Sequence, residues 1–81
     1  MVTYADLKRR KVVKLLRWLE RTGSIHVKEG GRHTTVEHIV SGDKHPIPTS
    51  HSTVNKHILK GFMKWLVAHK VCTKEEFEKR L

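Results

Sequence analysis

The sequence predicts a small α+β domain: an amphipathic helix, a three-stranded antiparallel meander, a second amphipathic helix and a short closing helix. Three observations carry this reading. Apolar residues recur at helical spacing toward both ends of the 81-residue chain. Between them the pattern alternates with a period of two. Glycines at 23, 30, 31 and 42 mark the breaks between these regions. At this length one domain over residues 1–81 is expected, with a single core and no room for a deep enclosed pocket.

Thr3 is the expected N-cap of the first helix, with Asp6 three residues on as the acid of a capping box. The helical pattern runs from Tyr4 to about Thr22. Val12, Leu15, Leu16 and Leu19 form the apolar stripe, and Arg10, Lys14, Arg17 and Arg21 gather opposite it. Lys8, Arg9, Arg10 and Lys11 are consecutive bases that wrap around the helix. Gly23 stands where a left-handed residue ends a helix. Ser24–Glu29 then alternates as a strand, and Gly30-Gly31 is a two-residue hairpin signal in which both residues take positive φ. The return strand runs from about Arg32 to Val40. Thr34, Val36, His38 and Val40 share one of its faces, and His33, Thr35, Glu37 and Ile39 the other. Ser41–Lys44 is a turn into a third strand around His45–Thr49, placed at an edge because Pro46 and Pro48 lack N–H groups. Ser52 or Thr53 is the expected cap of the second helix, which continues to about His69. The capping box Thr73–Glu76 opens the closing helix.

Seventeen Lys and Arg against eight Asp and Glu give a net charge of +9. Such an excess calls for a polyanionic partner. Nucleic acid fits best, since neutralising phosphates releases counterions; an acidic protein or an anionic membrane surface satisfies the same charge. Cys72 is the one cysteine, so no intrachain disulfide forms and a reducing compartment is expected. There is no leader pattern and no run of ~20 apolar residues, so a soluble cytoplasmic protein with no membrane contact is expected.

The order of elements, with Gly31-Arg32-His33 opening the second strand, resembles the HicA family of toxin ribonucleases from bacterial and archaeal toxin–antitoxin pairs. That family's most characteristic motif is Gly-Ser-His at this place; here arginine replaces the serine, and Thr34 follows where an apolar residue is usual. Leu15-Leu16 through Glu20 to Gly23 is similar to the segment that precedes the family's first strand. Ile47-Pro48 and His51 are similar to its strand exit, with one additional residue before the histidine. Asn55–Leu66 matches its second-helix pattern and Thr73–Leu81 its optional closing helix, so the resemblance spans about Lys8 to Leu81. It implies a double-stranded-RNA-binding-like α-β-β-β-α fold and endonucleolytic cleavage of mRNA, with His33 as the catalytic residue. It also implies a HicB-like antitoxin as protein partner. The free toxin is expected to be monomeric, and oligomeric in the antitoxin complex.

The residues suit that chemistry. RNA carries a 2′-hydroxyl beside the scissile phosphate, and imidazole, with an unperturbed pKa of ~6.5, is a competent base near neutral pH. Arg32 and Lys28 are the candidates to stabilise charge on the phosphorane, and the Gly30-Gly31 turn supports the site. Lys8, Arg9, Arg10, Lys11 and Lys14 are the candidate phosphate contacts on the first helix; double-stranded-RNA folds read shape and 2′-hydroxyls in this way. His51 is a possible contributor from the strand exit. Without the resemblance, the plain reading of His33 is a half-exposed strand residue and that of the basic helix a solvated face. His38 points away from His33 and reads as structural. Trp18 and Trp65 read as packing residues, with base stacking the alternative. The seven histidines include no helical His-x-x-x-His pair, so no metal or other cofactor is expected. Two rivals stand beside the enzyme: a non-catalytic RNA-binding module, and a protein-interaction domain that would bind no RNA even at low salt.

Overall fold

In the computed structural model, which describes residues 4–81, a two-residue strand β1 (Leu7–Lys8) precedes α1 (Arg9–Arg21). The helix therefore begins at Arg9 and not at Tyr4. The cause is a pairing with a distant segment: β1 lies antiparallel to β5 (Thr53–Val54), with Leu7 opposite Val54. The Arg9 N–H also donates to the Ser52 carbonyl at 2.9 Å. These bonds hold Lys8 extended, at φ −63° and ψ 142°. The expected N-cap Thr3 lies outside the described residues. Asp6 serves another helix, accepting the Lys56 N–H at 2.9 Å where α2 (Lys56–Ala68) begins.

The α+β class is as expected, with a three-stranded antiparallel sheet in the order β2 (Ile25–Glu29), β3 (His33–His38), β4 (Lys44–Pro48). Gly23 closes α1 in the left-handed region at φ 82°. The β2–β3 turn departs from expectation. Glu29 pairs with Thr34 and the Gly30 N–H donates to the His33 carbonyl at 2.9 Å, so Gly31 and Arg32 are the central residues. Neither Gly30 nor Gly31 takes a left-handed φ. Gly30 is needed for closeness instead, because a Cβ there would stand 2.8 Å from the His33 carbonyl oxygen.

The bonds from the His38 N–H to Asp43 O (2.8 Å) and from the Thr49 N–H to Arg32 O (3.2 Å) fix which β4 residues bond to β3. In an antiparallel ladder such positions alternate, so His45 and Ile47 bond inward while Lys44, Pro46 and Pro48 turn their backbone groups to the open edge. Both prolines thus occupy edge positions where no ladder N–H is lost.

Ile25, Val36 and Ile47 point to one face of the sheet and are at most 3% exposed. Val12, Leu15, Leu16 and Leu19 of α1 and Leu59, Phe62, Met63 and Leu66 of α2 cover that face. Each such side chain contributes on the order of 1.5–3 kcal/mol by leaving water. The second helix is capped by Asn55, whose Oδ1 accepts the His57 N–H at 2.7 Å, and not by Ser52 or Thr53, because those residues are committed to the pairing with β1. The expected capping box is present: Thr73 and Glu76 exchange bonds of 3.1 and 3.0 Å ahead of α3 (Lys74–Glu78), which buries Phe77. Among the described residues no helix is long and apolar enough to cross a membrane.

Candidate nucleic-acid interface and the His33 face

Strand parity sends His33 to the uncovered face of the sheet, since its neighbour Thr34 is buried in the helix-covered one. His33 is exposed and pairs with Pro48 on the edge strand. Lys28 pairs with Thr35, which makes it the diagonal neighbour of His33 on the open face, ~7–8 Å away by strand geometry. Arg32 is exposed in the turn beside it. The structure thus brings His33, Lys28 and Arg32 to one corner. Among the described residues, no hydrogen-bond partner orients the His33 ring.

Beneath that corner lies a buried polar contact. Thr34 and Thr49 are 5% and 7% exposed, and their hydroxyls meet at 3.0 Å. They join the start of β3 to the exit of β4, satisfying two groups that would each be costly to bury alone. From Thr49 the chain passes through exposed His51 to Ser52, whose carbonyl holds the N-terminus of α1. His51 therefore lies in the connection between the His33 corner and the basic helix.

The candidate phosphate contacts on α1 form a different surface. Lys8, Arg9, Arg10, Lys11, Lys14, Arg17 and Arg21 are all exposed, and the apolar stripe of α1 faces the sheet, so Arg10, Lys14, Arg17 and Arg21 face away from it while Arg9 and Lys11 stand at its flanks. An open cleft along the helix is lined by Lys8, Arg9, Arg10, Val13, Lys14, Arg17 and Ser52. Among the described residues, the only side-chain ion pairs are His26–Glu20 and His69–Asp43. Among the described residues no lysine or arginine makes an ion pair with a carboxylate. Several acids are committed elsewhere: Asp6 caps α2, Glu20 accepts the Val27 N–H at 3.2 Å, and Glu76 completes the capping box. The bases of α1 thus make no direct ion pair among the described residues, and the carboxylates nearest them are Asp6, beside Lys8, Arg10, Lys11 and Lys14, and Glu20, beside Arg17. It does not place that face on the same side of the sheet as His33.

Sequence reasoning missed a second cluster, at the other end of β3, roughly 16 Å from His33 at ~3.3 Å per residue. His69 ends α2. Its Nε2 is 2.8 Å from Asp43 Oδ2 and its Nδ1 is 2.8 Å from the Trp65 carbonyl. Both partners are acceptors, an arrangement that favours the imidazolium over the neutral ring. The bond to Asp43 raises the His69 pKa from its ordinary value and correspondingly lowers that of Asp43. His38 packs edge-on to His69 at 4.9 Å and its Nδ1 lies 2.8 Å from Ser41 Oγ. His45 stacks on Phe62, and burial lowers its pKa. Trp65 packs against His45 and His69, and Trp18 lies under the Arg80 guanidinium at 4.4 Å. No local signal announces this cluster, because its members come from β3, the β3–β4 loop, β4 and α2. Burial pushes the Cys72 thiol up, which suits a packing residue. Among the described residues no three His, Cys, Asp or Glu side chains converge as metal ligands. No family model matches the chain, and no curated protein or solved structure is significantly similar to it.

Proposed function

We propose that this protein binds RNA through α1 and cleaves it at His33, as a HicA-like toxin whose fold follows the double-stranded-RNA-binding plan. The observation that carries the reading is the excess of exposed bases on α1: every one is exposed and, among the described residues, none makes an ion pair with a carboxylate. A polyanion supplies what the fold withholds. The element order and the packing of both long helices on one sheet face support the fold assignment. In this reading the cytoplasmic target is mRNA, and a HicB-like antitoxin silences the toxin.

The chemistry requires only an exposed base beside positive charge. The His33 imidazole takes the proton of a 2′-hydroxyl, and the 2′-oxygen attacks the adjacent phosphorus. The bond to the 5′-oxygen breaks, and that oxygen regains a proton from the imidazolium or from water. Lys28 and Arg32 flank the developing charge. Products carry a 2′,3′-cyclic phosphate and a 5′-hydroxyl. Incubating labelled mRNA with wild type and His33→Ala in EDTA tests this: the reading expects such ends from the wild type alone, while both proteins bind. Cleavage that survives His33→Ala would refute it.

A non-catalytic RNA-binding module is the second reading. It is favoured by the His33 ring, which no neighbouring side chain orients, whereas catalytic bases are commonly held by a hydrogen bond. Binding by both proteins with cleavage by neither would select it.

A further inference from the structure

The two surfaces that the proposed function needs lie on opposite sides of the protein. Arg10, Lys14, Arg17 and Arg21 of α1 point away from the sheet, and His33 and Lys28 stand on its uncovered face. The molecule is 19 Å across its thinnest axis, measured between Cα atoms. We infer that the RNA-binding tract is bent: it follows the cleft along α1, turns over the end of the sheet at Ser52, His51 and Arg32, and descends onto the open face at Lys28 and His33. Such a tract takes a flexible single strand and not a straight duplex. This inference rests on the proposed RNA reading and specifies its ligand.

Three observations define the path. The bend is continuous in the backbone, because the Arg9 N–H bonds to Ser52 O and the Thr49 N–H to Arg32 O; no gap separates α1 from the β2–β3 turn. All of Arg9, Arg32, His51 and Ser52 are exposed. The alternative way round the sheet, along the outer side of β2, runs past Glu20 and Glu29, which line the depression between α1 and β2 with Val13 and Arg17. Carboxylates there repel a phosphate chain, so charge favours the route over His51. A double helix is stiff over tens of nanometres, about 50 nm for DNA, and does not fold around a body of this thickness. A single strand has no such stiffness, and basic grooves that track one are a common binding mode.

The test measures salt dependence with RNA of defined form. A 16-nucleotide RNA and the same RNA annealed to its complement are titrated against His33→Ala protein, so that neither is cut, over a range of salt concentrations in EDTA. Lys28→Ala/Arg32→Ala is then added in that background; both side chains are exposed, Arg32 at the bend and Lys28 beyond it. The bent tract expects tighter binding of the single strand. It also expects the double substitution to reduce the single-strand slope of log K against log salt by about 1.4, from ~0.7 per phosphate contact, with the duplex slope unchanged. Equal losses for both forms, or no loss for the single strand, would overturn the tract while leaving RNA binding intact. Failure of both forms to bind at low salt would remove the RNA reading and the tract with it.

Discussion

Gly30 and His33 close the β2–β3 turn as a bonded pair, so near that a Cβ on Gly30 would meet the His33 carbonyl oxygen at 2.8 Å. Gly31, one residue on, has open space around it and no left-handed φ. The two glycines are therefore expected to respond differently. Gly30→Ala should cost about 1–3 kcal/mol, as overpacking does, and displace His33. Gly31→Ala should be neutral or stabilise by about 0.4–1 kcal/mol through the unfolded chain. Urea unfolding of the two variants decides it, and equal effects would contradict this account of the turn.

The Thr34–Thr49 hydroxyl pair predicts a non-additive cycle. Either threonine replaced by valine leaves one buried hydroxyl without its partner, at a cost of about 1–3 kcal/mol. Replacing both removes the unmet demand, and the double variant should recover most of that loss. Stabilities that simply add would show that the 3.0 Å contact is not a working hydrogen bond.

The His69–Asp43 clamp predicts a pH dependence whose sign follows from the shifts. His69 has a raised pKa in the folded protein, so its contribution is complete below the ordinary histidine value, ~6.5. That contribution fades as pH rises through the folded pKa. Asp43 is lowered, so its share is present above the ordinary aspartate value and is lost as pH falls through the folded one. His45 is also lowered, by burial, and works the other way: below pH ~6.5 the unfolded chain takes up a proton that the folded one resists. Subtracting the melting curve of His69→Gln from that of wild type isolates the clamp. The difference should be largest between about pH 5 and 6.5 and shrink toward alkaline pH. A flat difference would mean that His69 is not held as an imidazolium.

Removing bases from α1 should separate binding from folding. Lys14→Ala/Arg17→Ala should lower the RNA salt slope by about 1.4–1.8, at ~0.7–0.9 per phosphate contact. Neither side chain has an ion-pair partner to lose, and relief of self-repulsion should leave the melting temperature unchanged or slightly higher. Unaltered salt dependence would show that α1 meets no phosphates.

Much of this architecture is legible in the residues because it is local. The α1 stripe, the left-handed Gly23 and the Thr73–Glu76 box each announce themselves within a few positions. What is not legible involves distant partners. Strand β1 is two residues long and exists only because Val54 and Ser52 come alongside, so Tyr4–Lys8 reads as helix until tertiary bonds override it. The His38–Trp65–His69 cluster draws on separate segments. For the site, alternation separates His33 from Thr34 and Val36, but it does not say which side the helices cover. That choice, made by Ile25, Val36 and Ile47 together, puts the basic helix and His33 on opposite sides.

The two prolines of β4 bear on how copies of this chain meet at high concentration. At positions 46 and 48 the outer edge presents carbonyls without N–H groups, so the carbonyls of a neighbouring strand find no donor there. The opposite edge is blunted as well, since Glu20 already occupies the Val27 N–H. Neither border of the sheet templates another strand well, and the sheet is not expected to seed stacked, fibre-like assemblies when the protein is overproduced.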